Sequence, residues 1–207
     1  MIDTAFLITA FVTMFVVIDP IGLAPLFVAL TQGVPERQRR AIAVRACAIG
    51  MIILIVFALF GEAVLGFIGI SMPAFRVAGG ILLFLTALDM LFERRTKRRE
   101  DQSEDAEHDD PSVFPLAIPL ISGPGSIASV ILLTGQKPGV EGLALVLAIT
   151  ALVLGVCLIL FLASGLLERA LGKTGITVVT RLLGMLLAAL SVQFVLDGLR
   201  NFGLMPG

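Results

Sequence analysis

Two short stretches of the chain place polar and helix-breaking residues inside apolar runs. The first is FVVIDPIGLAPLF, residues 15–27, which contains Asp19, Pro20, Gly22 and Pro25. In lipid every backbone N–H and C=O needs a partner, so irregular backbone is tolerated only where it is buried in protein or lines a wet cavity. Because each proline lacks an N–H and clashes with the preceding turn, we expect both prolines to interrupt the first helix.

The second stretch is PLAIPLISGPGSIASVI, residues 115–131. A helix that restarts after such a break begins with free N–H groups and a partial positive charge, and Ser126 is expected to cap it. Two such helix ends would bind a carboxylate, while Asp19 and the carbonyls freed before it would bind an ammonium group or a cation. This chemistry suits an amino acid. The predicted substrate-binding residues are Asp19, Pro20, Gly22, Ser122, Gly123, Pro124, Gly125 and Ser126.

The composition is that of a protein with several membrane spans. Of the 207 residues, 57% are hydrophobic and 15% are charged, and the mean hydropathy is +1.03. A soluble domain of this length needs more polar surface. The net charge of −1 predicts no nucleic-acid partner. Cys47 and Cys157 lie alone in apolar runs, which favours buried thiols over metal ligands.

Six apolar runs are long enough to cross a hydrocarbon core about 30 Å thick. The predicted spans cover residues 5–30, 41–60, 73–92, 113–134, 142–163 and 176–199. The first three spans form one unit, residues 1–92, and the last three form another, residues 113–207. The charged stretch between them, residues 93–112, is predicted to be a solvated, partly disordered linker. It contains His108, which we expect to be inert.

The distribution of Lys and Arg predicts the orientation. The first, third and fifth connections carry ten of the 15 basic residues, whereas the opposite side carries Lys137 and Arg200 only. The remaining three, Arg45, Arg76 and Arg181, lie within spans or at their ends. By the positive-inside rule the basic loops are cytoplasmic, so both termini are expected to be extracytoplasmic.

The two halves of the chain resemble each other. A shift of 103 residues places VIDPIGLAPLFVALT, residues 17–31, on LISGPGSIASVILLT, residues 120–134, so that Asp19 meets Ser122. A shift of 105 residues places Arg76 on Arg181 and Gly79 on Gly184. Since each unit has an odd number of spans, the second unit must cross the membrane upside-down relative to the first. We therefore predict two inverted three-helix repeats with discontinuous first and fourth helices, as in many secondary transporters.

The interrupted segments carry the motifs of a known family. The pattern D-P-x-G-x-x-P-x-F, Asp19 to Phe27, together with P-L-x-x-G-P-G-S, Pro119 to Ser126, resembles the MarC family of bacterial and archaeal inner-membrane proteins. That family is related to the lysine-exporter superfamily, and the likeness covers nearly the whole chain. The resemblance implies six spans in the inner membrane, broken first and fourth helices around the substrate, and transport of small neutral amino acids such as glycine or alanine.

Several alternatives remain open from the residues alone. Asp19 could be a buried acid that only accepts hydrogen bonds, and the glycine–proline runs could be packing kinks. Glu62 with Arg76, and Glu168 with Arg181, could be gating ion pairs or interfacial anchors. A channel or signalling membrane protein is the alternative to a carrier, whereas an enzyme is not expected, because no base accompanies Ser122 or Ser126. No cofactor is predicted. Coupling to Na⁺ or H⁺, the exact substrate, the direction of transport and the oligomeric state stay undetermined.

Overall fold

The computed structural model describes residues 4–92 and 110–203. Within these ranges all regular structure is helical, which confirms the predicted all-α fold. The helical segments are α1 (Thr4–Ile18), α2 (Pro20–Leu30), α3 (Glu36–Phe67), α4 (Met72–Leu91), α5 (Ser112–Ile121), α6 (Pro124–Gln136), α7 (Val140–Leu162) and α8 (Ser164–Asn201). Most of the predicted linker, including His108, lies outside the described residues.

Length and apolar composition identify the membrane spans among these helices. Five qualify: α1 with α2, α3, α4, α7, and the part of α8 from Thr174 to Asn201. The bent pair of α5 and α6 counts as a sixth if it is one span. The helix of the second span extends beyond the predicted 41–60, because the polar residues from Glu36 onward continue the same helix. Helix α8 is interrupted at Gly172, which has a φ of 60°.

Helices α4 and α8 pack along each other in antiparallel directions. Three glycine contacts define their register: Gly198 lies against Val77, Gly80 against Ser191, and Gly184 against Ala87. The residue numbers rise along α4 as they fall along α8, so the two helices are antiparallel.

The other contacts between the two halves of the chain are reciprocal. Helix α3 packs against α5 and α6, and α7 packs against α1 and α2. Likewise α4 contacts α6, and α8 contacts α2. Each half therefore covers the interrupted segment of the other half. Small residues allow the close approach, as at Gly50, where an added Cβ would lie only 2.6 Å from a methyl carbon of Ile121.

Candidate functional site

The first interruption is confined to Asp19. This residue has φ 57° and ψ 62°, the left-handed conformation, and it separates the end of α1 from the start of α2. It is fully buried, and its Oδ1 accepts a hydrogen bond from the N–H of Gly22 at 3.0 Å. Asp19 therefore caps α2 with its own carboxylate. Left-handed backbone costs about 1–2 kcal/mol for a residue with a Cβ, and an Asp cap offsets about 1 kcal/mol of that cost.

Pro25 acts differently from the prediction, and Gly22 makes room for the helix cap. An added Cβ at Gly22 would lie 2.2 Å from Oδ2 of Asp19, so the glycine makes room for the capping carboxylate. Pro25 was expected to break the helix, but it lies inside the continuous helix α2. Only Pro20 marks the break, as the first residue of α2, where its missing N–H costs no helical hydrogen bond.

The second interruption is longer and sharper. Helix α5 is irregular, with extended backbone at Phe114 and Ile118, the residues that precede Pro115 and Pro119, because a proline disfavours the helical conformation of the residue before it. Ser122 and Gly123 then separate α5 from α6, and the two axes are bent by 53°. The interrupted segment thus combines several proline and glycine effects, whereas the first interruption involves one residue.

The start of α6 lacks a side-chain cap. Its N-cap is Gly123, with φ −78° and ψ 172°, so the prediction that Ser126 caps this helix was wrong. Ser122 is committed elsewhere: its hydroxyl donates to the Gly50 carbonyl at 3.0 Å, and its N–H donates to the Ala117 carbonyl at 2.9 Å. The N–H groups of Gly125 and Ser126 fall in the first turn, where the helix itself supplies no acceptor.

The helix starts also correct the register between the two halves. Asp19 and Gly123 are the two N-caps, and Pro20 and Pro124 are the two first helical residues. By position in the helix, Asp19 therefore corresponds to Gly123, one residue away from the Ser122 that the sequence alignment paired with it. The second half carries a glycine where the first half carries the capping carboxylate.

The two interruptions lie against each other. An added Cβ at Gly125 would be 3.1 Å from Cγ1 of Val17, in the last turn of α1, and 3.6 Å from side-chain atoms of Leu83 and Thr86. Val17 is two residues from Asp19, so the capped end of one helix and the uncapped end of another share one neighbourhood. Asp19, Ser122 and Ser126 are all buried there.

Two cavities lie towards opposite ends of the helices, and neither is lined by Asp19 or Gly125. The Arg39 cavity, about 300 Å³, lies between the end of α2, the start of α3 and the end of α7, with Phe27, Arg39 and Phe161 in its lining. The Arg76 cavity, about 420 Å³, lies between α1, α4, the end of α6 and the end of α8. The interrupted segments are therefore closed off from both cavities in this conformation.

Comparison with known proteins agrees with this architecture. Residues 4–202 match the family model described as MarC family integral membrane protein. The chain belongs to the MarC family. A UPF0056 membrane protein of Methanocaldococcus jannaschii is 38% identical over 96% of this chain and 98% of its own length. No solved structure matches the chain significantly.

Two bacterial relatives extend the comparison. The UPF0056 membrane protein YvbG of Bacillus subtilis is 35% identical over 95% of each chain. The UPF0056 inner membrane protein YhgN of Escherichia coli is 34% identical over 94% of this chain and 96% of its own. This chain is accordingly a multi-pass integral membrane protein whose MarC family membership was correctly predicted from its motifs.

The side chains that line the Arg39 cavity in this MarC family protein were not predicted from the sequence. Phe27 and Phe161 stack with ring centroids 4.6 Å apart, and the Arg39 guanidinium lies 5.2 Å from the Phe27 ring centroid. Arg39 also donates to Ser164 Oγ at 2.6 Å. Phe27 belongs to the D-P-x-G-x-x-P-x-F motif, which was the only sequence signal; Arg39 had been counted as one loop charge among ten.

Two further sequence predictions meet the structure here. Cys47 and Cys157 are both buried, as expected, and they hydrogen-bond to each other across α3 and α7. The alternative of a gating pair between Glu62 and Arg76 is not found among the ion pairs of the described residues. Arg76 is buried, while the side chain of Glu168 lies outside the described part of the chain.

Proposed function

We propose that this protein is a secondary transporter of small neutral amino acids that works by alternating access. The observation that carries the proposal is the contact between the two interruptions, where Gly125 lies against Val17 beside Asp19. Buried irregular backbone at membrane depth is costly, and it persists in proteins where it serves a site.

The two helix ends offer complementary charges to a zwitterion. Asp19 supplies a carboxylate for the substrate ammonium group. The uncapped start of α6 supplies the N–H groups of Gly125 and Ser126, with the positive end of the helix dipole, for the substrate carboxylate. Val17, Leu83 and Thr86 crowd the same place, which favours a substrate with a small side chain such as glycine or alanine.

The arrangement of the two halves supports alternating access. The antiparallel pairing of α4 with α8, and the reciprocal packing of each half on the other's interrupted segment, are what an inverted repeat requires. The Arg39 and Arg76 cavities lie on opposite sides of the interruptions. A rocking motion between the halves would open one cavity to the site while the other stays closed. Either Na⁺ or H⁺ could drive the cycle, and no cofactor is invoked.

The proposed orientation places the Arg39 cavity at the cytoplasmic face of the inner membrane. Ten of the 15 basic residues lie in the connections on that side, so both termini are extracytoplasmic. A cysteine introduced at Gly207 should react with a membrane-impermeant maleimide in intact cells. Labelling only after the cells are permeabilised would overturn the orientation.

Counterflow in proteoliposomes tests the transport proposal directly. Vesicles loaded with unlabelled glycine or alanine should accumulate the labelled amino acid transiently, and the initial rate should saturate. Empty vesicles and vesicles with the Gly125→Val variant are the controls. Flux that rises linearly and shows no counterflow would favour the channel alternative, and no flux for any amino acid in a panel would remove the carrier proposal.

A further inference from the structure

Arg76 is an unusual side chain for its position. It lies in the first turns of α4 and is only 8% exposed, yet its Nε has no hydrogen-bond partner among the described residues. None of the ion pairs in the described part of the chain includes it. A buried N–H donor without an acceptor is expensive, so the unpaired Nε of Arg76 suits a ligand that supplies the missing acceptor.

The Arg76 cavity has the shape and the polar groups for such a ligand. Its volume of about 420 Å³ accommodates a small organic anion, and its lining includes Phe6, Thr9, Arg76, Gln136, Gln193 and Asp197. Asp197 accepts a hydrogen bond from Gln193 at 2.8 Å, which leaves a carboxylate in the same cavity as the guanidinium. A planar guanidinium binds carboxylates through two parallel hydrogen bonds.

Two buried hydroxyl groups lie between this cavity and the interruptions. One helical turn from Val17 towards the cavity is Thr13, and one turn from Gly125 towards the cavity is Ser129. Both are fully buried, and neither hydroxyl has a hydrogen-bond partner among the described residues. Because α1 and α6 run antiparallel here, the two hydroxyls lie at a similar depth, one helical turn from the contact between the interruptions.

The buried face of α4 follows the same route. Arg76, Gly79, Gly80 and Leu83 share that face, and Leu83 contacts the position of Gly125. Seven residues separate Arg76 from Leu83, a distance of about 10 Å along the helix. Along α4, Arg76 is therefore about two turns from Leu83, the residue that contacts the second interruption.

We infer that the Arg76 cavity is a second binding site, which takes the carboxylate group of a small solute before the solute reaches the interrupted helices. Arg76 binds the carboxylate, and Asp197 faces an ammonium group if the solute is an amino acid. The part of this site in transport rests on the proposed function, whereas the binding of a carboxylate does not.

The chain offers a clean reporter, because it contains no Trp and no Tyr. In the Phe6→Trp variant the single indole lies in the Arg76 cavity. In the control variant Phe60→Trp the indole replaces a side chain that is 58% exposed and far from the cavity lining. Each purified full-length variant, in neutral detergent without added phospholipid, is titrated with sodium acetate at constant ionic strength. Glycine, methylammonium chloride, sodium chloride and sodium phosphate are titrated in parallel.

Acetate and glycine should change the Phe6→Trp fluorescence saturably, while methylammonium and chloride should not, and Phe60→Trp should respond to none of them. Arg76→Gln in the Phe6→Trp background should weaken acetate binding roughly tenfold or more, since it removes a charge-assisted hydrogen bond. Arg181→Gln, at the position that the repeat matches to Arg76, should leave acetate binding unchanged. Phosphate should change the Phe6→Trp fluorescence only at higher concentrations than acetate, because the site selects carboxylates.

Three results would overturn the site: no saturation with acetate, saturation that persists in Arg76→Gln, or equal saturation with chloride. If Phe6→Trp does not fold, the thermal midpoint is measured with and without acetate for the wild-type chain and for Arg76→Gln. Acetate should raise the midpoint of the wild-type chain only, and an equal effect on both, or no effect on either, would overturn the site. Acetate binding that depends on Arg76, with no amino-acid counterflow, would retain the site and reject the proposed function. Amino-acid counterflow without acetate binding would retain the proposed function and reject the Arg76 site.

Discussion

The two interruptions occupy matching positions in the two halves of the chain, but they are built in opposite ways. At the first, one left-handed residue, Asp19, breaks the helix and caps the next one with its own carboxylate. At the second, the segment through Ser122 and Gly123 bends by 53° and leaves α6 without a side-chain cap. The start of α2 is capped within the chain, whereas the start of α6 has no side-chain cap.

The two helix starts differ at a single residue. Both helices start with proline, Pro20 or Pro124, so both lack one N–H at the same position. At the preceding residue, Asp19 adds a carboxyl group while Gly123 adds no side chain. The proposed function depends on this difference, because two identical helix ends would not offer both a carboxyl group and free N–H groups.

The largest effect is expected at the uncapped end. Gly125→Val places a branched side chain at a position where even the first added carbon lies 3.1 Å from Val17. We expect amino-acid binding and counterflow to be abolished while the protein still inserts and remains monodisperse in detergent. The control is Gly155→Val on α7, where an added Cβ meets nothing within 4 Å. Normal counterflow by Gly125→Val would mean that the second interruption is merely structural.

Two substitutions of Asp19 separate the effect of its charge on transport from the effect of its helix cap on stability. Asn caps helices as well as Asp does and tolerates left-handed backbone, so Asp19→Asn should keep the thermal midpoint and lower counterflow at least tenfold. Asp19→Ala loses the cap and keeps the left-handed backbone, so it should also lose about 1–2 kcal/mol of stability. Thermal unfolding and counterflow are measured for both variants. Full transport by Asp19→Asn would show that Asp19 is only a cap.

Replacing one glycine by alanine at each interruption tests which of the two interruptions is more rigid. At Gly123 the new Cβ would lie 2.5 Å from the Pro119 carbonyl oxygen, which is backbone, whereas at Gly22 it would meet the Asp19 side chain. A side chain can rotate away more easily than backbone can shift. We expect Gly123→Ala to lose about 1–3 kcal/mol and Gly22→Ala to lose less, as measured by thermal unfolding in detergent. The reverse order would indicate that the first interruption is the more rigid one.

Asp110, an exposed aspartate beside the start of α5, shows how little stability a carboxylate cap contributes when it is not buried like Asp19. The pKa of Asp110 is held below its usual range because the hydroxyl and N–H of Ser112 donate to it, with Arg45 nearby. Its stabilising effect is therefore complete above the ordinary carboxyl pKa of about 4 and is lost as the pH falls through the lower folded value. Asp110→Asn should cost less than about 1 kcal/mol at pH 7 and nothing at low pH, because the pair is exposed. A larger loss would mean that the linker anchors α5.

Local features of both interruptions followed from residue types. Closely spaced prolines and glycines weaken a helix, so the positions of the interruptions near Asp19 and Ser122 were predictable, as were the membrane spans and the family. Pro25 and Ser126 were misjudged. A proline one turn into a helix can be absorbed by the surrounding packing, and a serine caps a helix only when the helix starts directly after it.

The sequence by itself determined that this chain is an all-helical membrane protein with two interrupted segments, because hydropathy and backbone chemistry act over a few residues. Only the tertiary structure decided that Gly125 lies against Val17, that Arg76 is buried beside a cavity, and that Phe27 stacks on Phe161. Those contacts join residues far apart in the chain, and they depend on how whole helices pack. Whether a helix start is capped likewise depends on the exact residue at which the helix begins. The alignment of the two halves paired Asp19 with Ser122, whereas the helix starts pair it with Gly123, one position further along.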